Sequence, residues 1–164
     1  MSALRDSSAM PRLEVTNEVA TILESFCQLT ADDREACGLL IGTHSLAGER
    51  IRIEHATIPS KEDIRSRFSF KLRDISHQQH LDRLFLSSGR EKVLLGTWHS
   101  HPEPRPRPSE VDRRDWLKQF RLNETLLGRM VFSIVGTAMT RFWLVERRVK
   151  NRIDIVEVFN DDQK

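Results

Sequence analysis

The chain has 164 residues, 38% hydrophobic and 30% charged, with a formal net charge of +2. That length suits one domain with its own core, and the apolar share excludes a disordered polymer. The small net charge argues against a nucleic-acid partner, no apolar run is long enough to span a bilayer, and MSALRDSSAMPR lacks the hydrophobic stretch of a secretion signal, so the cytoplasm is the expected compartment.

Residues 1–11 and 160–164 are expected to be flexible ends around a single domain over 12–159. NEVATILESFCQL spaces Val19, Ile22, Leu23 and Phe26 at helical intervals, with Thr16 or Asn17 as cap. ACGLLIG, bounded by glycine and too short for a helix, reads as a buried strand. ERIRIEHATI sets Ile51, Ile53 and His55 against Arg52, Glu54 and Ala56, the alternation of a half-exposed strand. PSKEDIRSR reads as a loop and FSF, with Phe68 and Phe70, as a brief strand. A second helix is expected from Arg73 to Leu86, burying Ile75, Leu81, Leu84 and Phe85. KVLLGTW is a third strand, SEVDRRDWLKQFRL a helix carrying Val111, Trp116, Leu117 and Phe120, and MVFSIVG, RFWLVER and IDIVEVF are three closing strands. Helices interleaved with strands and a terminal meander imply an α/β domain with a mixed sheet. Cys27 and Cys37 form no CxxC pair and are expected as free thiols.

The chemistry concentrates in GTWHSHPEPRPRPSEVDRRDW. In an extended chain, residues i and i+2 share a face, so His99 and His101 can reach one point while Ser100 faces away. Pro102 favours that extension by restricting the residue before it. Asp112, on the first turn of the next helix, can add a third ligand and negative charge. Three protein ligands with an open fourth position describe a catalytic zinc site. Ser109 and Asp112 also form a capping-box pattern, which alone would simply start a helix. Asp112 can then turn toward the imidazoles instead of the backbone. A water held by a metal needs a base, and Glu35, before ACGLLIG, is the best placed carboxylate; equally it is the last charge of the solvated run DDRE. The arginines at 105, 107, 113 and 114 are interleaved with acids and read as a solvated mixed-charge surface, although the Arg105–Arg107 loop could meet an acidic tail.

Glu35 upstream, His99-Ser100-His101, seven residues, Ser109, two residues and Asp112 resemble the signature of the JAMM (JAB/MPN) metalloproteases at every position. The resemblance runs from about Glu35 to Leu144 and implies the MPN fold, a cytidine-deaminase-like mixed sheet flanked by helices. It further implies Zn2+ held by His99, His101 and Asp112, Glu35 as general base, and Ser109 as the hydroxyl that stabilises the oxyanion. RSRFSFKLRDISHQQHLDRLFLSSG together with the HSHPE and PRPS segments is similar to small bacterial isopeptidases of anti-phage CBASS operons. That implies a protein partner with an extended C-terminal tail, either a CD-NTase or a ubiquitin-like protein conjugate, laid beside a strand for which RSRFSFK is the candidate. Phe68 and Phe70 are equally candidates for the core.

Other readings are a JAMM peptidase that processes a ubiquitin-like or sulfur-carrier protein of another operon, or a non-catalytic MPN binding module. A two-histidine iron oxygenase fits less well, because a helix follows the motif, and a zinc deaminase would need the PCxxC pair that is missing here. The oligomeric state is left open.

Overall fold

The structure, a computed structural model, describes residues 9–123 and 128–161. Residues 1–8 and 162–164, where flexible ends are expected, lie outside the described residues. In chain order the elements are β1 (Arg12–Val15), α1 (Asn17–Glu24), β2 (Cys37–His44), β3 (Arg50–Ala56), β4 (Ile64–Arg65), β5 (Phe70–Lys71), α2 (Ser76–Ser87), β6 (Val93–Ser100), α3 (Glu110–Leu122), β7 (Arg129–Val135), β8 (Thr140–Arg147) and β9 (Ile153–Val158).

Seven strands form one mixed sheet in the order β1-β3-β2-β6-β7-β8-β9, with β1–β3 and β6–β7 parallel and the other pairs antiparallel. Parallel neighbours cannot be joined by a hairpin, so the chain must cross over between β6 and β7. That crossover is α3, and the loop leaving β6 with both motif histidines therefore runs straight to Ser109 and Asp112. The sheet curls until its two edges touch: Leu13 of β1 bridges Asn160, just past β9, and the Asn160 side chain accepts from Val15 N at 3.2 Å.

One core fills the concave side, where Val19 and Leu23 of α1 pack with Leu40, Ile53, Trp98 and Leu144. Thr16 caps α1 by accepting from Val19 N. A second core lies under α3, where the Trp116 ring stacks on Phe132 with centroids 5.0 Å apart. Trp98 Nε1 donates to the Thr57 carbonyl at 2.9 Å, across Gly38. A Cβ on Gly38 would collide with that carbonyl and lie 2.5 Å from the indole nitrogen.

The segment between β3 and α2 folds back as a flap carrying the small β4–β5 sheet. A buried clasp fixes it. The Thr57 hydroxyl accepts from Leu39 N at 2.7 Å and lies 2.6 Å from His77 Nδ1, while His77 Nε2 lies 2.7 Å from Asp63 Oδ2. Asp63 also accepts from the backbone of Ser60, Arg73 and Asp74.

Several expectations need correction. β1 goes unpredicted, because RLEV alternates too briefly to register. α1 stops at Glu24, where the chain turns into irregular backbone. α2 begins at Ser76, so Ile75 precedes it and is 70% exposed, while His77 is the buried residue. The brief strand is Phe70–Lys71, and Phe68 is solvent-exposed at 72%, outside any core. In β3 the alternation fails at its end, opposite a bulge at Ile41/Gly42: His55 is half-buried beside Lys92, and Ala56 is buried.

Candidate metal centre

The register of β2 on β6 builds the site. Cys37 pairs with His99, and Ser100 N donates to Ala36 O at 3.0 Å, which sets Glu35 opposite His101 at the end of the ladder. His101 N donates to Val135 O at 2.9 Å and holds the chain extended one residue beyond β6. The two imidazoles therefore share a face, and their Nε2 atoms lie 3.0 Å apart. Ser100 points the other way, accepting from Ala36 N and donating to Gln28 Oε1, both at 2.8 Å. Gln28 in turn donates to the carbonyls of Asp33 and Arg67, tying the segment before β2 to the flap.

Asp112 closes the triangle. Its Oδ1 lies 3.2 Å from His99 Nε2 and its Oδ2 3.3 Å from His101 Nε2. The expected choice between imidazoles and backbone does not arise, because one carboxylate does both. Oδ2 also accepts from Ser109 N at 2.7 Å and Ser109 Oγ at 2.8 Å, while Asp112 N donates to Ser109 Oγ, completing the capping box. The Ser109 proton is thus directed at Asp112 here.

These donors fit a zinc ion. Bonds of about 2.0–2.2 Å in a tetrahedron set ligand atoms roughly 3.3 Å apart; the two Nε2 atoms are 3.0 Å apart, and one ligand atom from each of the three side chains lies within 4.8 Å of the others. Two imidazoles and one carboxylate are the ligand types of open, three-ligand sites. His101 Nδ1 faces Glu103 Oε1 at 3.0 Å, so a proton there leaves the Nε2 lone pair for a metal. The His99 ring stacks on Phe70 of the flap, centroids 4.8 Å apart.

Electrostatics sort the groups. Burial pushes the His99 imidazole down against the pull of Asp112, which favours the neutral, ligating form. Burial also opposes protonation of His101, but Asp112, Glu103 and Glu35 outweigh it and its pKa is raised. Burial works against ionisation of Asp112 too, yet the imidazoles and Ser109 hold its carboxyl well below the usual range. Glu35 has a carboxylate oxygen 3.9 Å from His101 Nε2. Burial pushes its pKa up to about 7, with His101 pulling down and Asp112 pushing up. Cys37 is fully buried on the same face, and burial pushes its thiol up to about 12.

All five expected residues, Glu35, His99, His101, Ser109 and Asp112, thus come together. Sequence reasoning missed Gln28, Glu103 and Phe70, which hold them. Glu103 alone left a signal, as a carboxylate two residues past His101 and separated from it by a proline. PEPRPRP, read as solvated, is a pinned strap: Thr137 N donates to Glu103 O, Arg107 N to the Glu103 carboxylate and Arg141 Nη1 to Pro106 O.

A curled mixed sheet bearing a candidate metal triad where β6 ends and α3 begins is the architecture of an MPN-like domain. The chain belongs to the prokaryotic homologues of the JAB domain, whose family model matches residues 27–146. It is 33% identical over 139 residues to a CD-NTase/cGAS isopeptidase of Escherichia coli (strain TW11681), covering 85% of this chain and 83% of that protein. It is 34% identical over 130 residues to a CD-NTase/cGAS isopeptidase of Vibrio cholerae serotype O1, covering 79% of this chain and 78% of that one. Protein DSY2949 of Desulfitobacterium hafniense shares the fold, with a TM-score of 0.58 and 23% identity across 91% of this chain and 92% of that one.

Proposed function

We propose that this chain is a zinc-dependent isopeptidase that hydrolyses the bond joining the C-terminus of a CD-NTase or ubiquitin-like protein to its target, in an anti-phage CBASS setting. Membership of the JAB family and relatives named CD-NTase/cGAS isopeptidases support the reaction class and the substrate. One observation carries the reading: His99, His101 and Asp112 converge within 4.8 Å, with the Glu35 carboxylate beside them.

His99, His101 and Asp112 would hold the ion; when bound, zinc supplies a water acidified to a pKa near ~7 and a Lewis acid for a carbonyl. Glu35 accepts the proton of the attacking water on a carboxylate oxygen and later delivers it to the leaving amine. A positioned carboxylate beside the bound water can make both transfers. Ser109 Oγ redirects its proton from Asp112 to the developing oxyanion. Neither cysteine acts: Cys37 is buried as a thiol, and no covalent intermediate is needed. The substrate tail runs extended beside Phe70–Lys71, whose sheet has only two strands, so main-chain bonds give a sequence-tolerant grip.

The test measures zinc in the purified protein and cleavage of a CD-NTase C-terminal fusion, with ubiquitin-like and sulfur-carrier fusions alongside and Glu35→Ala as control. Stoichiometric zinc and Glu35-dependent cleavage of the CD-NTase fusion are expected. Absence of zinc, or equal cleavage by Glu35→Ala, would overturn the reaction; cleavage of the sulfur-carrier fusion alone would overturn the substrate.

A further inference from the structure

Behind the strap that joins β6 to α3 lies a cleft of about 450 Å³. Arg105 and Arg107 of the strap and Arg113 of α3 line it, and Trp143 and the Arg141–Glu157 pair complete the lining. Arg141 is fully engaged. Its Nε and Nη2 donate to the two oxygens of Glu157 at 2.8 and 2.7 Å, and its Nη1 to Pro106 O at 2.7 Å. Its guanidinium also lies over the Trp143 ring, 5.1 Å from the centroid. The one carboxylate on the lining is therefore already neutralised. Among the described residues, no hydrogen bond or ion pair holds the guanidinium groups of Arg105, Arg107 or Arg113.

Three arginines thus line one concavity with the bonded Arg141–Glu157 pair, and of the three Arg107 is attracted to the Glu103 carboxylate. Like charges gathered in a cleft repel one another and focus a positive potential on whatever enters. The strap is not free to disperse them: its backbone is tied to Glu103, Thr137, Ala138 and Arg141, and Pro104, Pro106 and Pro108 alternate with the arginines. The pinned backbone keeps Arg105 and Arg107 on one exposed surface with Arg113.

We infer that this cleft is an anion-recognition site for carboxylate side chains of an acidic segment of the protein substrate. The inference rests on the isopeptidase reading for the identity of the ligand's carrier, though not for the binding itself. A substrate segment is favoured because the strap and α3, which carry the three arginines, also carry Ser109 and Asp112. Chemistry favours carboxylates, since the planar guanidinium fork matches their oxygens two at a time. Size fits a few side chains, since pockets of about 300–1,000 Å³ hold small ligands. A nucleic acid fits poorly: the net charge is +2, and the Trp143 ring is only 5% exposed and covered by Arg141, so no base can stack on it.

The experiment uses the full chain and a fluorescein-labelled hexaglutamate peptide, followed by anisotropy, with hexaglutamine and a hexadeoxythymidylate strand as comparisons. Binding that weakens with added salt is expected, falling about tenfold or more in Arg105→Gln/Arg113→Gln. The thermal midpoint of that variant checks that it folds, and Arg105→Lys/Arg113→Lys, which keeps the charge without the fork, should fall between. Equal binding by the glutamine variant, equal binding of hexaglutamine, or tighter binding of the oligonucleotide would each overturn the proposal. Because this assay needs neither zinc nor cleavage, loss of the isopeptidase reading and loss of the cleft are separate results.

Discussion

Nδ1 of His101 lies 3.0 Å from the Glu103 carboxylate, and the same carboxylate oxygen accepts from Arg107 N at 2.9 Å. One side chain thus orients a candidate metal ligand and folds the strap that follows it. Partners of this kind fix the tautomer and typically contribute about 10- to 100-fold in metal affinity. Glu103→Ala is therefore expected to weaken zinc binding by about that factor, read by competition with a chromophoric chelator. Unchanged affinity would reduce the contact to loop packing.

Ser109 caps α3, and the oxyanion role proposed for it can be measured apart from that. As a helix cap its replacement by alanine costs about 1 kcal/mol of stability. As an oxyanion donor its loss costs about 3 kcal/mol in the barrier, or roughly 100-fold in kcat. Ser109→Ala should show both, by urea denaturation and by cleavage kinetics. A stability loss with unchanged kcat would leave only the cap.

Glu35→Gln is expected to keep zinc, since the ligand triangle does not include it, and to lower kcat by roughly 100- to 10,000-fold. Metal analysis and single-turnover cleavage on the same preparation check this. Zinc loss in step with activity would instead make Glu35 a structural support.

Acid should loosen the flap. Burial works against ionisation of Asp63, but hydrogen bonds from the Asp74, Ser60 and Arg73 backbones and from His77 outweigh it and lower its pKa. A carboxyl depressed in the folded state adds stability above its unfolded value, near ~3.9, and loses it as pH falls through the folded value. Asp63→Asn should cost about 2 kcal/mol at pH 7, because its amide would face donors from Ser60 and His77. The wild-type and variant melting curves should converge on acidification below about pH 4. A constant gap down to pH 2 would refute the linkage.

Gly38→Ala tests the seam behind the site. A methyl group there must displace the Thr57 carbonyl or the Trp98 indole, which bond to each other. A loss of about 3 kcal/mol is expected, measured by denaturant unfolding.

The candidate metal triad was legible because its geometry is local. His99 and His101 share a strand face by parity, and Asp112 follows from the helix cap three residues earlier. Glu35 is less local: its place beside His101 depends on the β2–β6 register, and the family pattern, not periodicity, pointed to it. The flap was misread because its fixings are long-range. Phe68 and Phe70 look alike in sequence, yet one is exposed and the other stacks on His99, decided by how Asp63, His77 and Gln28 seat the segment. Glu103 was hidden by its neighbours: interleaved charges look alike until the fold shows which of them is bonded, whereas Arg105, Arg107 and Arg113 are exposed as the sequence implied.

Leu13 and Asn160 sit side by side, with Arg12 and Asp161 3.5 Å apart next to them. A domain whose first and last strands meet can be rewired: a short linker joins them, and the chain is cut elsewhere, as between Leu46 and Ala47 in the β2–β3 turn. In such a circular permutant, Glu35 would lie near the end of the polypeptide and would follow the histidines instead of preceding them. Zinc binding should survive the reordering, because sheet register, and not the direction of synthesis, brings those residues together.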